Sequence, residues 1–156
     1  MPSRRDAVRM TEVELRAYLE TQRRIILVTT GKDGLPHPVP MNYGLDDEGR
    51  VILTAFAKSQ KVRNLERTAR AALLVESGDT YGELKSAILW ADAEILRDPE
   101  EVARLMPLVR AGDAMAGSIE GAMSDQVRAS IAKRVVLRFT PFRTASWDHA
   151  KIVGFY

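Results

Sequence analysis

The chain has 156 residues, 46% hydrophobic and 28% charged, with a net charge of +2 and no cysteine. That length fits one domain, 1–156, with a real core, and the composition excludes a disordered protein. The missing cysteine excludes disulfides, thiol nucleophiles, Cys-ligated zinc and iron–sulfur clusters.

The opening Met-Pro-Ser-Arg-Arg has no apolar stretch behind it, so no signal peptide is expected, and residues 1–10 are expected to be disordered. The apolar runs are strand-length, well short of the roughly 20 residues of a membrane span. A cytoplasmic protein that does not enter membranes is therefore expected. Thr11-Glu12-Val13-Glu14 reads as a capping box opening a helix over 12–22, with Val13, Leu15 and Leu19 inward. Arg24 to Thr30 is β-branched and reads as a strand, and Gly31-Lys32-Asp33-Gly34 as a hairpin turn. Leu35 to Tyr43 is the next strand, Asp46 to Gly49 the next turn, and Val51 to Ala55 a third strand of an antiparallel meander.

A helix over about 59–68 follows, then a strand over Ala71 to Glu76 and a long one over Ser86 to Leu96. The long strand alternates Leu89, Ala91, Ala93 and Ile95 with Ile88, Trp90, Asp92 and Glu94. Asp98-Pro99-Glu100-Glu101 starts a helix over 99–110 that packs through Val102, Leu105, Met106 and Val109. Residues 111–123, with Gly112, Gly117 and Gly121, read as a connection or a lid. A short helix opening at Ser124-Asp125 precedes a strand over Val135 to Thr140; Pro141 interrupts, and Arg143 to His149 form a further strand. The apolar end Ile152 to Tyr156 is expected to dock on its own domain or on a second subunit. Short hairpin-linked strands with helices between them point to a mainly β protein with inserted helices, a small six- to seven-stranded antiparallel barrel.

Two segments carry functional information. The first is Val51 to Asn64, where an apolar run ends in Thr54 and Lys58, Lys61 and Arg63 surround the start of a helix near Ser59. A helix N-terminus carries partial positive charge from unpaired N–H groups, so each cation there is unfavourable by roughly 0.3–1 kcal/mol. The other helix starts, at Thr11, Asp98 and Ser124, are acidic. Only the start near Ser59 inverts the rule, as it would if an anion, most simply a phosphate, sat in front of it. The alternative is a pair of solvated lysines with Arg63 paired to Glu66.

The second segment has Pro36, Pro38 and Pro40 on alternate residues of one strand. Residues i, i+2 and i+4 aim their N–H groups at the same neighbour, so this strand lacks donors along one edge. It should pair on one side and stay open on the other. The open edge either suppresses aggregation or takes a flat ligand on its remaining backbone groups.

The order of these motifs is familiar: the Gly-Lys-Asp-Gly turn, His37-Pro-Val-Pro-Met-Asn-Tyr43, an acidic turn, Leu53-Thr54, and Lys58-Ser-Gln-Lys-Val-Arg-Asn-Leu65. With Tyr81 to Lys85 and Ser146 to His149, it resembles the pyridoxamine 5′-phosphate oxidase-like family of FMN-binding split β-barrels, closest to the flavin- and deazaflavin (F420)-dependent branch. The resemblance covers roughly 11–151. It implies a homodimer with FMN or F420 at the subunit interface. The phosphate would meet Thr54, following Leu53, and Lys58, Ser59, Gln60 and Lys61; the ring would lie along Pro38, Val39, Pro40, Met41 and Asn42. Better-known oxidases of the family place an arginine beside the phosphate-binding lysine where this chain has Gln60. Their C-terminal arginine–histidine motif is absent here, so pyridoxamine phosphate oxidase activity is not expected.

No catalytic residue and no metal ligand set is assigned. The two histidines, His37 and His149, lie far apart, and no P-loop, Gly-x-Ser-x-Gly or Gly-x-Gly-x-x-Gly pattern occurs. Asp46, Asp47 and Glu48 read as a solvated turn. Trp147 is a candidate to stack on the ring, or else packs in the core or the interface, as Trp90 is expected to. The leading expectation is an oxidoreductase acting on a small organic molecule. A cofactor or haem carrier without turnover is the alternative. A nucleic-acid-binding barrel ranks lowest, since 6% aromatics and a charge of +2 leave little for a basic stacking groove.

Overall fold

Glycine-bearing turns and alternating apolar strands build one sheet. The computed structural model describes residues 3–109 and 125–153. Its strands are β1 (Arg24–Thr30), β2 (Pro36–Asn42), β3 (Gly44–Leu45), β4 (Val51–Phe56), β5 (Arg70–Ser77), β6 (Lys85–Leu96) and β7 (Arg134–Asp148). They form a seven-stranded antiparallel sheet in the order β2-β1-β5-β6-β7-β4-β3. Because β2 runs straight into β3, the two edge strands are chain neighbours, and the sheet curls into a half-open barrel. At the β1–β2 turn, Gly34 N–H donates to the Gly31 carbonyl at 2.9 Å. Gly34 holds φ +82°, a conformation that favours glycine.

The inner face is a leucine core. Leu27, Leu53, Leu73, Leu89 and Leu137 are at most 1% exposed, each stabilising the fold by roughly 1.5–3 kcal/mol relative to exposure. Helix α2 (Glu12–Thr21) adds Tyr18 and Leu19 to that core, and helix α3 (Gln60–Arg67) adds Val62 and Leu65. Helix α4 (Pro99–Leu105) covers the opposite side of β4 and β7, where Ile52 and Val136 meet Val102, Leu105 and Val109. The alternation expected in β6 is present: Leu89 and Ala91 lie in the core, Ala93 and Ile95 pack against it, and Asp92 and Glu94 are exposed.

Several expectations need correction. Val13 is 80% exposed; the inward stripe of α2 instead runs through Leu15, Tyr18 and Leu19, the i, i+3, i+4 spacing of one helix face. Residues Arg4–Val8 form a short helix, α1, with a Ser3–Asp6 capping box. The helix at Pro99 ends at Leu105, because Pro107 enforces a 3-10 turn over Met106–Leu108. Pro141 does not split β7: pairing continues past it, with a register shift between Trp90 and Ala91 absorbing the irregularity. Asp46 is buried and not solvated; it accepts hydrogen bonds from the Glu48 and Arg50 backbone and pairs with the Arg50 guanidinium at 2.8 Å. Strand β3 has no sequence signal beyond Gly44, where a Cβ would collide with the Leu108 carbonyl oxygen. The expected loop over 111–123, the cap at Ser124 and the docking of Gly154 to Tyr156 fall outside the described residues. Among those residues, no helix is long and apolar enough to cross a membrane.

Candidate functional site

The barrel has an open seam, and the prolines explain it. β3 pairs β4 with Gly44 opposite Ile52 and Leu45 opposite Val51. Continued in that register, Asn42 would face Thr54 and Pro40 would face Phe56. The pairing stops instead, and β2 pairs β1 alone, from Asn42 against Arg24 to Pro36 against Thr30. That ladder runs through Pro36, Pro38 and Pro40, so their missing N–H groups aim away from β1 and toward β4. Among the described residues, the side of β4 away from β7 is therefore unpaired beyond Ile52. The free edge of β2 presents the carbonyls of Pro36, Pro38 and Pro40, and both backbone groups of Asn42. Side chains alternate along it: Pro38, Pro40 and Asn42 are exposed, whereas Val39 and Met41 pack on the core. Leu53 is wholly buried and Thr54 half-buried. Val39 and Met41 are half-buried with their main-chain groups turned toward β1, and Leu53 is buried in the core.

From the end of β4, the chain turns directly into α3. Ser59 N–H donates to the Phe56 carbonyl at 2.9 Å, and Ser59 is the N-cap of α3. Its hydroxyl makes no capping bond, and its Oγ is buried without a partner. The first turn of α3 holds no acidic residue. By contrast, Thr11 and Asp98 both accept backbone N–H bonds at their helix starts, with acids in the first turn. Lys58 is exposed and Lys61 half-buried, and among the described residues neither is in an ion pair. Burial lowers the Lys61 pKa, with no carboxylate to offset it. Glu66 pairs with Arg97 rather than with Arg63.

Beside this helix start lies an open groove of about 560 Å³, between the hairpin segment Gly31–His37 and the Gln60/Asn64 face of α3. Asn64 is wholly buried and organises it: Nδ2 donates to Thr29 Oγ1 at 3.0 Å, and Oδ1 accepts from Gln60 Nε2 and Arg67 Nη2, both at 2.9 Å. Arg67 Nη2 also reaches the Thr30 carbonyl at 2.9 Å. His37 also lines the groove, and its Nδ1 is buried without a partner. Sequence reasoning missed Asn64 and His37 here. The available signal was a polar residue at a core position of α3, between buried Val62 and Leu65.

Trp147 does not share this site within its own chain. β4 accompanies β7 only from Arg134 to Phe139, and Trp147 lies eight residues further along, paired to Ser86 on β6. At about 3.3 Å per residue, that is some 26 Å away along the strand. Trp147 shares the outer face of the sheet with Ile26, Leu74, Ile88 and Trp90, all half-buried. Arg143 lies over the Trp90 ring, 4.0 Å from its centroid. Among the described residues, no cluster of three or more histidines and acids could hold a metal ion.

Comparison with known proteins gives a consistent picture. The family model for pyridoxamine 5′-phosphate oxidase matches residues 11–148. The crystal structure of a conserved hypothetical protein from Mycobacterium tuberculosis is 35% identical, with a TM-score of 0.80 over 97% of this chain and 92% of that one. An F420 reductase shares the fold at 22% identity and TM-score 0.61, over 83% of this chain and 94% of its own. A FAD-binding protein from Mesorhizobium loti does so at 20% and 0.65, over 88% and 94%. No curated protein matches the chain.

Proposed function

The chain belongs to the pyridoxamine 5′-phosphate oxidase family, and on that premise we propose that it is an oxidoreductase binding FMN or F420 in the open seam and acting on a small organic molecule. The observation that carries the reading is the start of α3. Among the described residues, a buried Ser59 hydroxyl without a partner, a half-buried Lys61 without a counter-ion and exposed Lys58 surround free helix N–H groups. This donor set fits a phosphate and is unfavourable without one. Lys58, Ser59, Gln60 and Lys61 would hold the phosphate, with Thr54 at the end of β4 beside it. The carbonyls of Pro38 and Pro40 and the backbone of Asn42 would recognise the N–H and C=O edge of the ring. Val39, Met41 and Leu53 would stiffen the strands behind it. When bound, the cofactor supplies the hydride chemistry; the residues of the chain bind, orient and exclude water.

A second copy fits the same reading. The outer face formed by Ile26, Leu74, Ile88 and Trp90 is apolar and only half-covered, which supports a homodimer built on it. Trp147, remote from its own seam, would then act in the partner's site. The purified protein tests this directly: a band near roughly 450 nm identifies a flavin, and one near roughly 420 nm a deazaflavin, as general properties of these cofactors. A colourless preparation is titrated with each. Lys61→Ala is expected to weaken binding about tenfold or more through loss of a charge-assisted contact. Unchanged affinity would place the phosphate elsewhere.

A further inference from the structure

We propose that the groove between the β1–β2 hairpin and α3 is a nucleotide subsite that takes a purine nucleoside monophosphate, with its base on His37 and Gln60. The inference depends on the cofactor reading only for the position of the neighbouring phosphate. Gln60 is the first residue of α3 and also lines the groove, so the helix start and the groove form one continuous track. FMN ends at its phosphate and would not extend along that track.

The lining specifies the occupant. At about 560 Å³ the groove lies within the usual range of small-molecule sites, roughly 300–1,000 Å³. Its walls are Leu35, Pro36 and glycine backbone, apolar surfaces suited to a flat ring. Asn64 spends its side chain on Thr29, Gln60 and Arg67, and so acts as a positioning residue for the Gln60 amide. Gln60 gives its Nε2 to Asn64, which leaves Oε1 as an acceptor. His37 Nδ1 is a buried nitrogen with no partner. Gln60 and His37 line the same groove, and an acceptor oxygen together with an imidazole nitrogen complements the amino group and ring nitrogen along a purine edge. The two charges at the hairpin tip, Lys32 and Asp33, cancel. Asp33 is fixed by the Leu35 N–H at 3.1 Å and suits a ribose diol.

The nucleotide could be the adenylate half of FAD or a separate molecule, and calorimetry on the full chain distinguishes them. AMP is expected to bind the wild-type protein at least tenfold more tightly than inorganic phosphate. If AMP competes with FAD, and FAD binds at least tenfold more tightly than FMN, the subsite holds the tail of a dinucleotide. If AMP binds in saturating FMN and FAD shows no such advantage, it holds a separate nucleotide. His37→Phe is expected to reduce AMP binding at least tenfold while leaving FMN affinity unchanged. Leu35→Glu, at a residue 64% exposed and so neutral for folding, should do the same by charge repulsion. The proposal is overturned if AMP binds no better than inorganic phosphate, or if both variants leave AMP affinity intact. FMN binding without AMP binding removes the subsite and keeps the cofactor reading; AMP binding sensitive to Leu35→Glu without flavin binding does the reverse.

Discussion

Lys61 shows how a residue suited to a ligand works against the unliganded fold. Burial lowers its pKa from the ordinary 10.5 with no offsetting carboxylate. A lowered lysine pKa means that the unfolded chain binds more protons between the folded value and 10.5, so stability rises with pH across that window. Replacing the charge with an apolar side chain should therefore help the empty protein. Lys61→Met is expected to raise its Tm by about 2 °C, for a gain below about 1 kcal/mol, while binding of the phosphate-bearing cofactor falls. A Tm drop in thermal scans would contradict this account. Glu14 is the opposite case. The Lys151 ammonium and the Thr11 N–H hold its carboxyl at about 2, below the ordinary 4.5. Its contribution is present above 4.5 and is lost as pH falls toward 2. Glu14→Gln should flatten the acid limb of the stability–pH curve in that window and leave the alkaline limb unchanged; identical acid limbs would refute it.

At the scale of elements, two features shape the proposed site. Strand β2 is kept from β4 by absent donors, so the double change Pro38→Val and Pro40→Val should restore pairing along the seam. Hydrogen exchange at residues 38–40 would then slow, and cofactor affinity would fall about tenfold or more as the edge closes. Rapid exchange and unchanged affinity would show that something other than proline keeps the seam open. Helix α3 is tied to β1 by the buried Asn64 amide and by Arg67 on the Thr30 carbonyl. Asn64→Ala strips partners from Thr29, Gln60 and Arg67, and is expected to cost about 1–3 kcal/mol. Urea unfolding should show this as a lower midpoint at unchanged slope.

For the whole molecule, the decisive surface is the outer sheet face. Ile88→Asp places a charge amid Leu74, Trp90 and Ala145, its neighbours on that face, and should not disturb the leucine core on the other side. Light scattering is expected to give a monomer for this variant and a dimer for the wild type. Cofactor affinity should fall with it, because the proposed site draws on both copies. A wild type that is monomeric at working concentrations would remove the dimer from the proposal. Gly44 bears on the overall assembly in another way. Its close approach to the Leu108 backbone locks β3 under the turn after α4, so Gly44→Ala should be among the more destabilising single changes to this fold.

Much of this was legible in the linear chain because it depends on local rules. The caps at Thr11 and Asp98, the glycine turn after β1, the alternation of β6, the donor-free edge of β2 and the acid-free start of α3 each follow from a few neighbouring residues. The family resemblance was carried by the order of those same motifs. Other features depend on which distant segments meet. Whether Pro141 ends a strand was settled by the register shift opposite it in β6, and whether Val13 faces the core by how α2 sits on the barrel. The burial of Asn64, the orphaned nitrogen of His37 and the distance of Trp147 from its own seam arise only when the sheet curls, because burial belongs to the packed molecule and to no residue alone.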